Sequence, residues 1–127
     1  MGVFFVSCEI VNVRQPSKKV MVPKLLVDSG SEATWIPVAN LRHAGIQVTK
    51  KDQPFQMANG MIVTRPVGYA IVRAAGFETV DEVVFAEPGD LSLLGARTLE
   101  GFGAVVDARK KRLVAAGPAP AAASDED

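Results

Sequence analysis

One cysteine and one histidine, Cys8 and His43, are all the chain has of either residue. A lone cysteine excludes an intrachain disulfide, and one of each excludes a Cys/His zinc site within a single chain. A single histidine and no Gly-x-Ser-x-Gly also speak against Ser-His and Cys-His hydrolases. No apolar run approaches the length of about 18 residues that a membrane span needs. Net charge is absent too: 14 Lys and Arg offset 14 Asp and Glu, which argues against a dedicated nucleic-acid or acidic-membrane binder. Three of the acids (Asp125, Glu126 and Asp127) close the chain, so the body is mildly basic. The first residues lack the basic stretch and small-residue cleavage site of a signal peptide. Val6 stands where a myristoylation signal has Ser or Thr. A cytoplasmic location is the expectation.

What is present is an ordinary globular balance, with 48% apolar and 22% charged residues in a chain of 127. That suits one domain with a sizeable core. Phe4, Val6, Cys8 and Ile10 share one face of an extended chain, so 3–13 reads as a strand with Cys8 as a small buried apolar residue. A turn over 15–19 returns the chain along 20–27, where Pro23 marks an edge or an irregularity. A short strand over 34–36 ends at Pro37. One or two helical turns over 38–43 stop at Gly45, and 46–48 is extended. Asn59-Gly60 lies between apolar β-formers, which predicts a hairpin over 55–63 with a type I′ turn. Strands over 67–73 and 79–85 are joined by Ala74-Ala75-Gly76. A turn at 88–90 leads to the apolar run 91–94, then to a helix over 96–100. Residues 104–107 and 112–115 form a last hairpin. Residues 1–115 are the expected domain, and 116–127, of low complexity, the expected disordered tail. The fold class is all-β, barrel-like or sandwich-like, with one or two short helices.

Chemistry concentrates in Leu25-Leu26-Val27-Asp28-Ser29-Gly30-Ser31. An apolar strand delivers one carboxylate into a tight loop, where Gly30 lets backbone approach it and Ser29 and Ser31 can hydrogen-bond around it. Alone, Asp-Ser-Gly is what any Asx turn between strands looks like. As a functional unit it is half of an aspartic-protease site. Two carboxylates about 3 Å apart cannot both ionise, so one serves as base and the other as acid.

The rest of the chain adds order to that fragment. Asp28-Ser29-Gly30 is followed by the Asn59-Gly60 hairpin, then by Leu93-Leu94-Gly95 and a short helix, then by the Val105–Val114 hairpin. This succession resembles the retropepsin-like aspartic proteases, the retroviral enzymes and their small bacterial relatives, over residues 3 to about 115. The resemblance implies a closed β-barrel or sandwich with a hairpin flap. It implies a catalytic Asp28 oriented by Ser29 and Gly30, and a flap made of residues 56–62. Ser31, Glu32, Met57, Ala58, Asn59, Gly60 and Met61 would meet substrate, with Leu93, Leu94 and Trp35 as pocket walls. It implies an extended peptide substrate and no metal or organic cofactor.

Three departures stand out. Ser31 replaces the usual Ala, and its extra hydroxyl could stabilise charged carboxylates. Retroviral enzymes place Arg directly after the late Gly, whereas here Ala96 comes first and Arg97 second, with Glu32 as its available partner. Trp35 takes the place of a small aliphatic residue, either narrowing the pocket or pointing into the core.

The dyad needs two Asp-(Ser/Thr)-Gly loops and the chain has one; neither Asp90 nor Asp107 starts another. A catalytic form is therefore expected to be a homodimer with Asp28 of each subunit on the two-fold axis. Two rivals are a catalytically weak or silent retropepsin fold used for dimerisation or peptide binding, and an unrelated monomeric β-barrel. Arg109-Lys110-Lys111-Arg112 reads as a solvated hairpin tip, without the interleaved aromatics of a nucleic-acid site. Glu78, Asp81 and Glu82 read as exposed strand-end charges, and His43 as structural.

Overall fold

The computed structural model describes residues 3–122. The acidic positions 125–127 and most of the predicted tail's end lie outside the described residues. Residues 116–122 are exposed and carry no regular structure.

Nine strands and two short helices follow one another among the described residues. They are β1 (Phe5–Val11), β2 (Lys19–Val27), β3 (Thr34–Pro37), α1 (Val38–His43), β4 (Lys50–Gln56), β5 (Ile62–Ala74), β6 (Phe77–Ala86), β7 (Leu93–Leu94), α2 (Ala96–Phe102), β8 (Ala104–Asp107) and β9 (Arg112–Ala115). Seven strands form one sheet in the order β1-β2-β7-β3-β6-β5-β4, and β1 also pairs with β5. That extra pairing closes a ring of six strands and leaves β4 hanging outside on β5. Closure removes the exposed edges that an open sheet would present. The fold is all-β and retropepsin-like, as the sequence implied. The β8–β9 hairpin is a separate small sheet.

Alternation builds the core. Cys8 and Ile10 of β1, Val22 and Leu25 of β2, and Ala70, Val72 and Ala74 of β5 point into the ring with Ile36, Val83, Phe85 and Leu94. Leu41 of α1 and Leu99 and Phe102 of α2 plug it from outside the sheet. Burial pushes the Cys8 thiol up to about 12, so it is an inert apolar filler, as its strand position suggested.

Two turns differ from the sequence reading. Asn59-Gly60 is not a type I′ turn, since only Gly60 has positive φ (85°). Instead Gly60 N–H closes onto Met57 C=O at 2.8 Å and Asn59 Oδ1 accepts Met61 N–H at 3.0 Å. The longer loop is stabilised by an Asx contact. The type I′ geometry falls on Ala75-Gly76, with φ of 52° and 85°, between paired Ala74 and Phe77. The predicted strands 55–63 and 67–73 also merge, because β5 runs unbroken through Pro66. Lys51 and Asp52 oppose that proline at a register shift, so its missing N–H costs no ladder bond. Pro23 sits at a similar shift, opposite Ser7, which is the irregularity expected there.

Candidate active site

The Asp28 loop is held by backbone on both sides. Val27 pairs in parallel with Leu94, and Asp28 N–H donates to Leu94 C=O at 3.0 Å. The chain then turns, with Gly30 N–H on Asp28 Oδ1 at 3.0 Å and Ser31 N–H on Asp28 C=O at 3.2 Å. A Cβ on Gly30 would stand 3.2 Å from Asp28 Oδ1, tighter than ordinary contact, so a side chain there would press on the carboxylate. Asp28 is half-buried, while Ser29 and Gly30 are exposed.

Helix α2 has no side-chain cap. Its first amides are satisfied by the loop: Ala96 N–H donates to Ser31 C=O at 2.7 Å and Arg97 N–H to Glu32 C=O at 3.0 Å. The orphan donors of the helix thereby become the clamp that fixes the loop. Beneath it runs a buried chain of hydroxyls. Gly95 N–H donates to Thr34 Oγ1 at 2.9 Å, Thr34 and Thr98 hydroxyls meet at 2.6 Å, and Thr98 Oγ1 donates to Asp81 Oδ2 at 2.7 Å. Each hydroxyl has one proton, so Thr98's donation to the carboxylate makes Thr34 the donor between the two. Asp81 and Glu82 are half-buried in the body of β6. They are not the exposed strand-end charges expected of them; the hydroxyl chain and the cleft take them inward.

A cleft of about 740 Å³ opens beside this loop. Of the residues singled out from sequence, Asp28, Gly30, Ser31, Glu32, Trp35, Met57, Ala58 and Leu93 line it. Ser29, Asn59, Gly60, Met61 and Leu94 do not line it. Leu94 is fully buried in the barrel core, so it is no wall of this cleft; the alternation of β7 sends Leu93 outward and Leu94 inward. The Ser31 hydroxyl donates to Ala33 C=O at 3.0 Å. Its single proton is thus spent on the loop and not on Asp28, which corrects the expectation of a hydroxyl stabilising the carboxylate.

Sequence reasoning missed Phe55, Glu82, Val84, Leu91 and the lining role of Arg97. Phe55 shares an extended face with Met57, a signal that was available. Val84 enters because it is in register with Trp35, which no local pattern shows. The Trp35 ring lies 5.0 Å from that of Phe55, tilted by 59°, and is only 7% exposed. It is both packed and part of the wall. Arg97 reaches Glu32 at 3.8 Å and Glu82 at 4.0 Å. With Glu32 83% exposed, the first is a loose surface pair of little energetic weight. Asp28, Glu32 and Glu82 make the cleft predominantly anionic. No group of three or more potential ligands for a metal ion occurs among the described residues.

Residues 11–98 match the sequence model of a family described as aspartyl protease. The chain belongs to the aspartyl protease family. The match begins at the end of β1, takes in the whole Asp28 loop and the β4–β5 hairpin, and stops inside α2. No curated protein matches the chain. An aspartyl protease is a peptide-bond hydrolase, and this one brings a single Asp-Ser-Gly carboxylate, held by backbone, to the rim of an anionic cleft. No helix among the described residues is long and apolar enough to cross a membrane.

Proposed function

We propose that the protein is a homodimeric aspartic endopeptidase, with residues 1–115 as its catalytic domain. The observation that carries this reading is the Asp28 loop, which is clamped by β7 and α2 yet supplies one carboxylate where the chemistry needs two. Asp28 of the partner subunit is the only second carboxylate of the same kind that the sequence can supply. Brought together on a two-fold axis, the pair shares one proton. One carboxylate takes a proton from water as its oxygen attacks the scissile carbonyl carbon. The other gives its proton to the amide nitrogen as the C–N bond breaks, leaving a carboxylic acid and an amine. Their titration belongs to the pair.

The β4–β5 hairpin would serve as the flap, closing over an extended peptide and excluding water. Met61 and Ile62 near its tip and Leu91 at the cleft edge are large apolar side chains left 60%, 63% and 66% exposed. Exposed apolar surface beside a cleft suits a partner subunit and a substrate. Met57, Ala58 and Leu93 would contact substrate side chains, with Asn59, Gly60 and Met61 meeting their counterparts of the second flap.

The test is cleavage of a mixed peptide library from about pH 3 to 7, the acid side being where a shared-proton dyad works. Wild-type protein is expected to cleave and Asp28→Asn to lose at least about 1,000-fold of that activity, since removing one member of a catalytic unit costs on that order. Equal cleavage by the two proteins would contradict an Asp28 dyad, and no cleavage from a dimeric wild type would point instead to a silent peptide-binding module.

A further inference from the structure

Trp35 forms part of the cleft wall. On β3 it lies in register with Leu93 of β7 on one side and Val84 of β6 on the other. Its indole belongs to a second apolar cluster, separate from the barrel core, with Val67, Val84, Ala86 and Leu93. Phe55 and Met57 descend onto the same cluster from β4 and the loop after it. The Trp35 and Phe55 rings meet in a tilted contact, with centroids within the separation that aromatic pairs favour. The indole is therefore fixed from below by the sheet and from above by the hairpin arm. Swinging it away would open a void in a close-packed cluster.

Its place relative to the reacting carboxylate follows from strand order. Asp28 hangs on Leu94 and Trp35 pairs with Leu93, so β2, β7 and β3 are consecutive neighbours. Two inter-strand steps span about 10 Å. An extended peptide advances about 3.3 Å per residue, so the substrate side chain nearest Trp35 lies within about three residues of the bond over Asp28. At that point the wall is a rigid ring system already in contact with Phe55.

We propose that Trp35 determines specificity by closing the subsite above β3, so that the substrate residue facing it is glycine, alanine or serine. This inference rests on the peptidase reading and adds the class of peptide taken. Trp35 is not itself a reacting group. It acts by occupying the volume that a branched or aromatic substrate side chain would need.

The experiment profiles cleavage sites in a peptide library randomised over three positions on each side of the cut bond. Wild type, Trp35→Val, Trp35→Phe and Asp28→Asn are compared, with products read by mass spectrometry and folding checked by thermal melting. Wild type is expected to restrict one of these positions to small residues. Trp35→Val is expected to admit valine, leucine and phenylalanine there, improving kcat/KM for them against alanine by about 10-fold or more. The other positions keep their preferences, and Trp35→Phe falls between. Should Trp35→Val not fold, the wild-type profile and Trp35→Phe decide the matter. Wild-type cleavage with leucine or phenylalanine accepted at every position overturns the proposal while leaving the peptidase reading intact. So does a folded Trp35 variant that changes the rate and not the profile. Absence of cleavage by wild type, or cleavage of the same bonds by Asp28→Asn, overturns the peptidase reading and the specificity assignment with it.

Discussion

A Cβ added at residue 95 would overlap the carbonyl oxygen of Ala33 and crowd that of Glu32. Gly95 is buried and its φ is ordinary extended backbone, so the demand for glycine here is one of space alone. The space lies directly behind the candidate active-site loop, whose Ser31 and Glu32 carbonyls hold the amides that follow Gly95. Gly95→Ala is therefore expected to destabilise the fold by about 3 kcal/mol, at the upper end of overpacking costs. Urea unfolding measures that loss, and a change below about 0.5 kcal/mol would contradict the close approach. The residue pattern Leu93-Leu94-Gly95 is legible in the sequence, but the reason for its glycine is not. That reason is contact with a segment more than 60 positions away, as is the hydroxyl pair of Thr34 and Thr98. Asp28-Ser29-Gly30 was readable because its turn is local: carboxylate, amide and glycine are within two residues of one another.

Between elements, the firmest polar tie is one that no sequence pattern announced. Arg65 of β5 grips Asp90 with two bonds, Nε to Oδ2 at 2.7 Å and an Nη nitrogen to Oδ1 at 2.9 Å. Asp90 also accepts Glu87 N–H at 2.8 Å. The pair fastens the arm of the β4–β5 hairpin to the turn that feeds β7. The hydrogen bonds from Arg65, helped by that from Glu87 N–H, hold the Asp90 carboxyl below its ordinary value against the opposing effect of burial. A carboxylate with a depressed folded-state value stabilises fully above its unfolded value of about 3.9 and loses that contribution as pH falls through the folded value. Asp90→Asn is thus expected to cost about 2 kcal/mol at pH 7, with the gap to wild type narrowing below about pH 4. Unfolding curves at pH 7, 5, 3 and 2 check this, and a gap unchanged across that range would contradict it. The hairpins themselves were largely legible, β8–β9 to the residue. The type I′ assignment at Asn59-Gly60 was misjudged because the turn is set by the strands it joins. Ala75-Gly76 links Ala74 and Phe77 in direct register, whereas the Asn59-Gly60 loop closes between Met57 and Met61.

For the whole molecule, the ring is made by pairings between distant segments: β1 with β5, and the parallel pairs β2–β7 and β3–β6. The sequence shows the strands and their order; it does not show which lie side by side, because parallel partners are joined by no turn. That is why Val84 and Glu82 were absent from the expected site, although Asp28, Trp35 and Met57 were named. The same ring fixes one Asp-Ser-Gly loop per chain, so the proposed dyad would be complete only in the proposed homodimer. Peptidase activity is accordingly expected to depend on concentration in a way that no single-chain enzyme shows.

The most direct measurement is specific cleavage activity across a dilution series, set beside the dimer fraction measured by sedimentation in the same buffer. Activity per chain is expected to fall on dilution in step with the dimer. Full activity per chain in samples that sediment as monomers would contradict a site shared between two Asp28 loops.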